Sequence, residues 1–467
     1  MNDGREISTV KYEVLKRVRP TKEDREEILR AVEVAKGRIL EAARRKGLEV
    51  RVEVEGSIAK DTWISTDRDV DLFIIFPPSA GRETITGVGL ELAKAGAGER
   101  WKAGYAEHPY IETEVLGCKM DIVPSGELVP GKKAMTAVDR TPLHTRYVRE
   151  RLSEDGKDEV RVLKQFMKGI GVYGAELKVG GFSGYLCELL IIRYGNFEET
   201  LRMAAEWRTR EVIDIEGHYS HGSALDAFDS PLVVVDPVDR GRNAAAAVSL
   251  RALATFISAS RHFLRRPSIA FFFPQTDQIE LGELMGMAEG RGTELIAIET
   301  ACPSIPSDVL WGEIHHSLSK ISGLLKEKGF TLLDAHAWSD EEERVIFLLE
   351  LQEGRLPEAE IHPGPSAIFP EDEERFLEKH LGSARTIAGP FISGDRWCVI
   401  RRRVATDARK VLEESLPKMQ LSPDLAAEIR QGFSIISVGE LIRRSSERRD
   451  LLLEIFRFLR KRPLWLE

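Results

Sequence analysis

A chain of 467 residues is too long for one compact core, and its length alone points to about three domains. Its 42% hydrophobic and 31% charged residues are those of an ordinary soluble protein, with no apolar run long enough to span a bilayer. The net charge of −9 weighs against nucleic acid as a partner, although recognition uses local patches and not the average.

The N-terminus, MNDGREISTVKYEVLKRVRP, has no apolar core and no small-residue cleavage site, so no secretory signal is expected. Cys118, Cys187, Cys302 and Cys398 are scattered without a CxxC pair. They read as buried free thiols in a reducing compartment, which fits a cytoplasmic setting, and with no apolar run to span a bilayer no membrane is expected as a partner. The first long helix is expected over about residues 22–46, with Thr21 as N-cap, Asp24 as its reciprocal partner and Gly47 as the stop. An alternating strand, LEVRVEVEG, follows. Beyond a Gly-Ser pair and an aspartate cluster comes DLFIIF, apolar on both faces and therefore central in a sheet. YIETEVLGCKMDIVPS reads as two strands joined at Leu116-Gly117 and closed by Pro124. Together these make a mixed sheet with a helix on one side.

From about residue 137 the pattern turns helical. DRTPLHTRYVRERL has Thr141 as expected N-cap and Pro142 at the first helical position. KDEVRVLKQFMKGIGVYG, SGYLCELLIIRYG and RNAAAAVSLRALATFISASRHFL are further helices, and SPLVVVDPVD is a strand with a turn. A third region runs strand IAFFF, helix QIELGELMG, strand ELIAIET, helix SDVLWGEIHHSLSKISGLLKEKG, then strands FTLLDAHAW and RVIFLLEL. Two β-α-β halves suggest a ferredoxin-like sandwich. His315-His316 tempts a metal reading, but adjacent helical residues face different ways, and the pair is read as structural. From Arg396 to Glu467, 16 Lys and Arg stand against 10 Asp and Glu, in clusters such as IRRRV and RFLRKRP. That surplus fits either solvated helix faces or a surface that tracks phosphates.

The chemistry concentrates in residues 55–77, EGSIAKDTWISTDRDVDLFIIFP. Aspartates at i and i+2 on a strand share a face and repel unless a cation lies between them. Asp69 and Asp71 enclose apolar Val70, whereas Asp67 and Asp69 would turn Arg68 toward the core; the expected pair is therefore Asp69 and Asp71. Asp121 in KMDIV adds a third carboxylate from a neighbouring strand and completes a hard-oxygen set suited to Mg²⁺. Two such ions can clamp an in-line phosphoryl displacement. Gly56 lets the backbone approach a phosphate, and Ser57 can donate to it. Gly-Ser, DVD and a downstream aspartate together resemble the DNA polymerase beta-like nucleotidyltransferase superfamily.

The resemblance narrows further. GSIAKDTW…DVDLFIIFP, KMDIVPS, RTPLHTRYV, GFSGYLCELLI and DPVDRGRN look like the archaeal, class I CCA-adding enzymes, the tRNA nucleotidyltransferases. The matching segments spread over about residues 20–260, and GFSGYLCELLI and DPxDxxRN carry the most weight. The resemblance implies an α+β multidomain chain: a catalytic head at 1–138, a helical neck at 139–260, a ferredoxin-like body at 261–355 and a tRNA-gripping tail at 356–467. It implies that Asp69, Asp71 and Asp121 bind the metals and that Ser57 and Lys60 contact the incoming triphosphate. Lys60 stands where the family commonly has arginine, keeping the charge without the bidentate fork. His144, Lys164 and Tyr173 match positions that hold the nucleotide, and Thr141, close by, is counted with them. Arg242 matches the arginine associated with reading the base edge, with Asp239 expected to hold it in place. The implied activity is stepwise addition of C, C and A to tRNA from CTP and ATP, releasing pyrophosphate, and a homodimer is compatible with the resemblance. The rivals are a poly(A) polymerase or other RNA 3′-nucleotidyltransferase, and an inactive RNA-binding homologue. The intact aspartates argue against the last.

Overall fold

The computed structural model describes residues 3–105, 109–127, 140–220, 223–275 and 279–466. The chain divides into two compact units, Met1–Gln275 with Pro463–Glu467, and Thr276–Arg462. The expected head boundary near 138 lies outside the described residues.

The first unit opens with helix α1 (Asp3–Val18), which the sequence reading does not anticipate. Ile7, Val14 and Val18 lie along one side of it and are buried. Helix α2 (Lys22–Arg45) starts where expected: the Thr21 hydroxyl accepts from the Asp24 N–H, and the Asp24 carboxylate accepts from the Thr21 N–H. Strand β1 (Arg51–Glu55), helix α3 (Gly56–Lys60), strand β2 (Val70–Phe76), helix α4 (Arg82–Ala97) and strands β3 (Trp101–Tyr105), β4 (Pro109–Val115) and β5 (Cys118–Gly126) follow. They form one sheet in the order β1-β2-β5-β4-β3, with β2 and β5 parallel and the other neighbours antiparallel. β2 is thus interior, as its two apolar faces require. Val70, Leu72, Ile74 and Phe76 point into the core shared with α2 and α4; Phe73 and Ile75 pack with Val123 on the other face. β5 runs through Pro124 instead of closing there, because β4 pairs with β5 only as far as Ile122.

Helices α5 (Thr141–Arg151), α6 (Glu154–Gly169), α7 (Gly184–Tyr194) and α8 (Phe197–Glu206) continue the unit. Then come strand β6 (Glu211–Asp214), a short helix α9 (Ala224–Ala227), strands β7 (Leu232–Asp236) and β8 (Asp239–Asn243), and helix α10 (Leu250–Arg265). Arg140, not Thr141, occupies the cap position of α5, with Thr141 inside the first turn. α10 begins at Leu250, later than RNAAAAVSL suggested, because the Ser249 hydroxyl accepts from the Ala252 N–H and caps it there. The expected strand IAFFF is instead a 3₁₀ turn over Ile269–Phe271. Phe271 and Phe272 turn inward to Phe166, 5.9 and 5.4 Å away between ring centroids, so packing and not pairing decides that segment.

The second unit contains helix α11 (Leu281–Glu289), strand β9 (Glu294–Ala301), helix α12 (Ser307–Glu327) and strands β10 (Leu332–Ser339), β11 (Arg344–Leu351) and β12 (Ala359–Ser366). Helix α13 (Pro370–Leu381), strands β13 (Thr386–Ser393) and β14 (Arg396–Arg402), helices α14 (Ala408–Ser415) and α15 (Pro423–Gln431) and strand β15 (Phe433–Ser437) follow. The unit ends in α16 (Val438–Arg444) and α17 (Arg449–Arg460). Its main sheet is antiparallel in the order β10-β11-β9-β15, with α12 and α15 packed on it. This is ferredoxin-like, but its first strand is β9 and its fourth, β15, comes from beyond residue 430. The sheet β12-β14-β13 with α13 is inserted between the third and fourth strands. Much of the basic surplus is answered inside this unit. Arg401 and Arg403 both reach Glu360, Arg448 reaches Asp340, and Lys461 reaches Asp334 and Glu350. Among the described residues no helix is long and apolar enough to cross a membrane.

Candidate active site

The face of β2 and β5 turned away from α2 and α4 floors a cavity of about 490 Å³. Gly56, Ser57, Lys60, Asp69, Asp71, Asp121, Thr141, His144, Lys164 and Tyr173 all line it, so ten of the expected site residues meet in one place. Arg242 is not among the lining residues.

Strand register explains the carboxylates. Asp71 on β2 lies opposite Asp121 on β5, Glu55 on β1 lies opposite Asp71, and Glu112 on β4 lies opposite Asp121. Register partners share a face, so four acids form a row across the sheet. Burial pushes the Asp71 carboxyl up to about 6, with Asp69 and Asp67 adding to it against the pull of Lys60. Burial, then Asp71 and Glu112, pushes Asp121 up to about 7. Asp69, just ahead of β2, is raised by burial and by Asp67. Asp67 itself is held by Lys168 at 3.0 Å, and this separates it from the pair chosen from sequence. Arg68 does not turn inward as feared; it pairs with Asp24 at 2.5 Å and Glu27 at 3.3 Å on α2.

Gly56 has φ +64, and a Cβ there would stand 1.9 Å from the Asp71 carboxylate. Any side chain would both strain the backbone and displace that aspartate. Gly184, at the start of α7, similarly leaves room for the Tyr173 hydroxyl and the end of Lys164.

The cationic side of the cavity is organised by a residue the motifs did not single out. Glu188 on α7 is fully buried. Lys60 donates to it at 2.5 Å, the Thr62 hydroxyl donates at 2.5 Å, and Lys164 lies 3.7 Å away. Its only trace in the sequence is an acid in the middle of the apolar helix GYLCELLI.

A second hub is Asp236, at the end of β7. Arg242 donates to it at 2.6 Å, His144 Nε2 lies 3.0 Å away, and the Tyr185 hydroxyl donates at 3.3 Å. Burial opposes its charge, but His144 and Arg242 outweigh that and hold the carboxyl down at about 2. Asp239, expected to hold Arg242, instead accepts from Arg140 at 3.2 Å and from the Gly241 N–H. Arg242, partly exposed, is tied through Asp236 to His144 in the cavity lining. His144 stacks on Tyr185, ring centroids 4.2 Å apart.

Comparisons with known proteins agree along the whole chain. A family model described as "Nucleotidyltransferase domain" matches residues 36–144, "tRNA nucleotidyltransferase, second domain" matches 158–273, and "CCA-adding enzyme, C-terminal domain" matches 291–438. A protein of Methanothermobacter thermautotrophicus described as a CCA-adding enzyme is 38% identical over 86% of this chain and 87% of its own length. Another so described, from Methanosarcina barkeri, is 36% identical over 93% of this chain and 95% of its own. One from Saccharolobus islandicus is 35% identical over 98% of this chain and 100% of its own.

Proposed function

The chain belongs to the CCA-adding enzyme family, and from that premise we propose how its residues build C, C and A onto the 3′ end of tRNA from CTP and ATP. The observation that carries the proposal is the register pairing of Asp71 with Asp121 on the floor of a cavity that Lys60 and Lys164 also line. The acids suit cations and the lysines suit phosphate. The 3′ hydroxyl oxygen bonds to the α-phosphorus of the nucleotide, the bond to the bridging oxygen breaks, and pyrophosphate leaves.

Asp69, Asp71 and Asp121 are the residues that would hold divalent ions, proposed here as Mg²⁺. They fit: all three carboxyls are raised, first by burial and then by the like charges beside each of them, so the site is short of positive charge. Among the described residues no three His, Cys, Asp or Glu side chains converge closely enough to hold an ion as they stand. Substrate phosphate oxygens would therefore complete the ligand set, as is usual for Mg²⁺. Bound there, the ions supply activation of the hydroxyl and neutralisation of the leaving pyrophosphate.

The chain's own groups do the remaining work. Gly56 and Ser57 offer a backbone and a hydroxyl donor to phosphate, and Lys164 offers a point charge. Tyr173 supplies a ring and a hydroxyl at the same wall. His144, stacked on Tyr185 and tethered to Asp236, presents a flat, braced surface beside Thr141. Arg242, aimed by Asp236, is the group proposed to read base edges together with RNA phosphate. The head, neck, body and tail divisions given above stand as a proposal for function, with the body closed structurally by β15. The free thiols support a cytoplasmic setting, and a homodimer is part of the proposal, to be checked by light scattering.

The deciding experiment supplies one tRNA transcript cut back to lack CCA, CA or A, with Mg²⁺ and each nucleotide alone or CTP with ATP. Products are read at single-nucleotide resolution. Stepwise C, C, A addition that then halts is expected. Runaway A tails overturn the reading in favour of a poly(A) polymerase, and no incorporation overturns it in favour of an RNA-binding protein.

A further inference from the structure

Glu188 has no part in the chemistry described so far, yet it is the most deeply buried charge at the cavity. Its side chain is 0% exposed, and those of Lys60 and Lys164 are 6% and 2%. The three come from α3, α6 and α7, and all line the same cavity. A buried ionic cluster is a poor way to stabilise a core, since apolar residues of the same volume do as well or better. Its position is what sets it apart. Two ammonium groups share one carboxylate, and the next acid that feels both is Asp71 in the same cavity. Lys164 is braced further by the Thr62 carbonyl at 3.1 Å and hydroxyl at 3.3 Å, and the Lys60 ammonium lies over the Tyr185 ring at 5.6 Å.

We infer that Glu188 is a positioning residue for the nucleotide triphosphate: it holds Lys60 and Lys164 at the cavity wall as a preformed cationic seat. This rests on the reading that the cavity takes a nucleoside triphosphate. Lys60, where the family commonly has arginine, cannot fork onto phosphate, and Glu188 fixes the single direction its ammonium takes. Burial disfavours the charged form of Lys164, and Glu188 is the largest influence restoring it. The other groups that face this ammonium are Lys60, Asp67, Asp71 and Cys187, with Tyr173 and Tyr185 lining the same cavity. Removing the Glu188 charge therefore leaves burial less opposed at the Lys164 ammonium.

The test measures CTP binding with Mg²⁺, and kcat and KM, on the full-length chain for Glu188→Gln, Glu188→Asp, Lys164→Met and the Glu188→Gln/Lys164→Met pair. Glu188→Gln keeps the volume and loses the charge, and it should weaken CTP by at least about tenfold, raising KM more than it lowers kcat. Glu188→Asp keeps the charge and should bind within about threefold of wild type, the span of about 0.6 kcal/mol. The double variant should lose little beyond the single ones, because both act on the same contact. Wild-type affinity in Glu188→Gln with a loss in Glu188→Asp would mean packing alone and overturns the inference. So do losses that multiply in the double variant. If Glu188→Gln does not fold, Glu188→Asp decides: a tenfold or greater loss of CTP affinity, about 1.4 kcal/mol, overturns the inference. Unchanged CTP affinity in Lys164→Met overturns the nucleotide-site reading itself, which separates the two failures.

Discussion

Two interior strands of this chain look alike in sequence and differ in what surrounds their charges. VDLFIIF (β2) and RVIFLLEL (β11) are both apolar runs with one interior acid, and both sit between two neighbours in a sheet packed by helices. In β11, Glu350 is 2% exposed but answered: Arg291 donates at 2.6 Å, Thr293 at 2.9 Å, and Lys461 lies 3.0 Å away. Burial opposes its charge, yet those partners outweigh burial and hold the carboxyl below its usual range. In β2, Asp71 meets further acids in register on both sides, and its carboxyl is raised. A buried acid with its cations supplied by the fold is architecture; one whose neighbours are also acids waits for a cation from outside.

The sharpest way to break this comparison is to neutralise each acid. Asp121→Asn or Asp71→Asn should cut nucleotide incorporation by on the order of 10³-fold, the scale of losing a preorganised electrostatic contact, with the fold retained by circular dichroism. Near wild-type turnover in either variant would sink the metal assignment. Glu350→Gln should do the opposite. It takes from Arg291 its carboxylate while Lys461 keeps Asp334, and should cost about 1–3 kcal/mol in urea unfolding while the folded fraction keeps its specific activity. Equal effects of the two substitutions on turnover would erase the distinction.

A smaller effect is expected at Arg242. Arg242→Ala should relax discrimination of C and A against U and G by about tenfold, within the range of one bidentate base contact, and change triphosphate affinity less. Misincorporation assays with single nucleotides check this; a selective loss of CTP and ATP affinity with fidelity intact would move Arg242 to the phosphate side.

The mildest effect is on pH. The raised carboxyls of Asp71 and Asp121, at about 6 and about 7, favour the protonated form in the fold. Their contribution to stability is full below the ordinary carboxylate range and is lost as pH rises through those values. Compared with the Asp71→Asn/Asp121→Asn double variant, the metal-free chain should lose melting temperature as pH rises from about 4 to about 7. Mg²⁺ should return part of that loss and release protons on binding. A difference between the two proteins that stays flat with pH would show that the acids do not repel.

How much of this was legible beforehand follows from how far each signal travels along the chain. Thr21 and Asp24 lie three residues apart, and the capping box was readable. So were β2, β4 and β5, whose alternation and turn at Leu116-Gly117 are written in adjacent residues. Asp69, Asp71 and Asp121 were found because period-two alternation assigns a face to each aspartate. IAFFF misled for the same local reason: five apolar residues do not say whether they will pair or pack, and the ring cluster around Phe166 decided. The RNAAAAVSL stretch misled because alanine favours helix while Ser249 supplied a better start.

The sequence by itself thus determined strands β2 and β5, the aspartates they bring to the cavity, the tight approach at Gly56 and the kinship of the chain. Tertiary structure alone decided that β15, not IAFFF, completes the ferredoxin-like sheet. It also decided that Asp236 and not Asp239 aims Arg242, and that Glu188 lies between Lys60 and Lys164. The physical reason is separation. Helix caps and strand alternation are set by backbone geometry within a few residues, whereas Lys60 and Glu188 are 128 positions apart and meet only when α3 and α7 are brought together by the packing of the first unit.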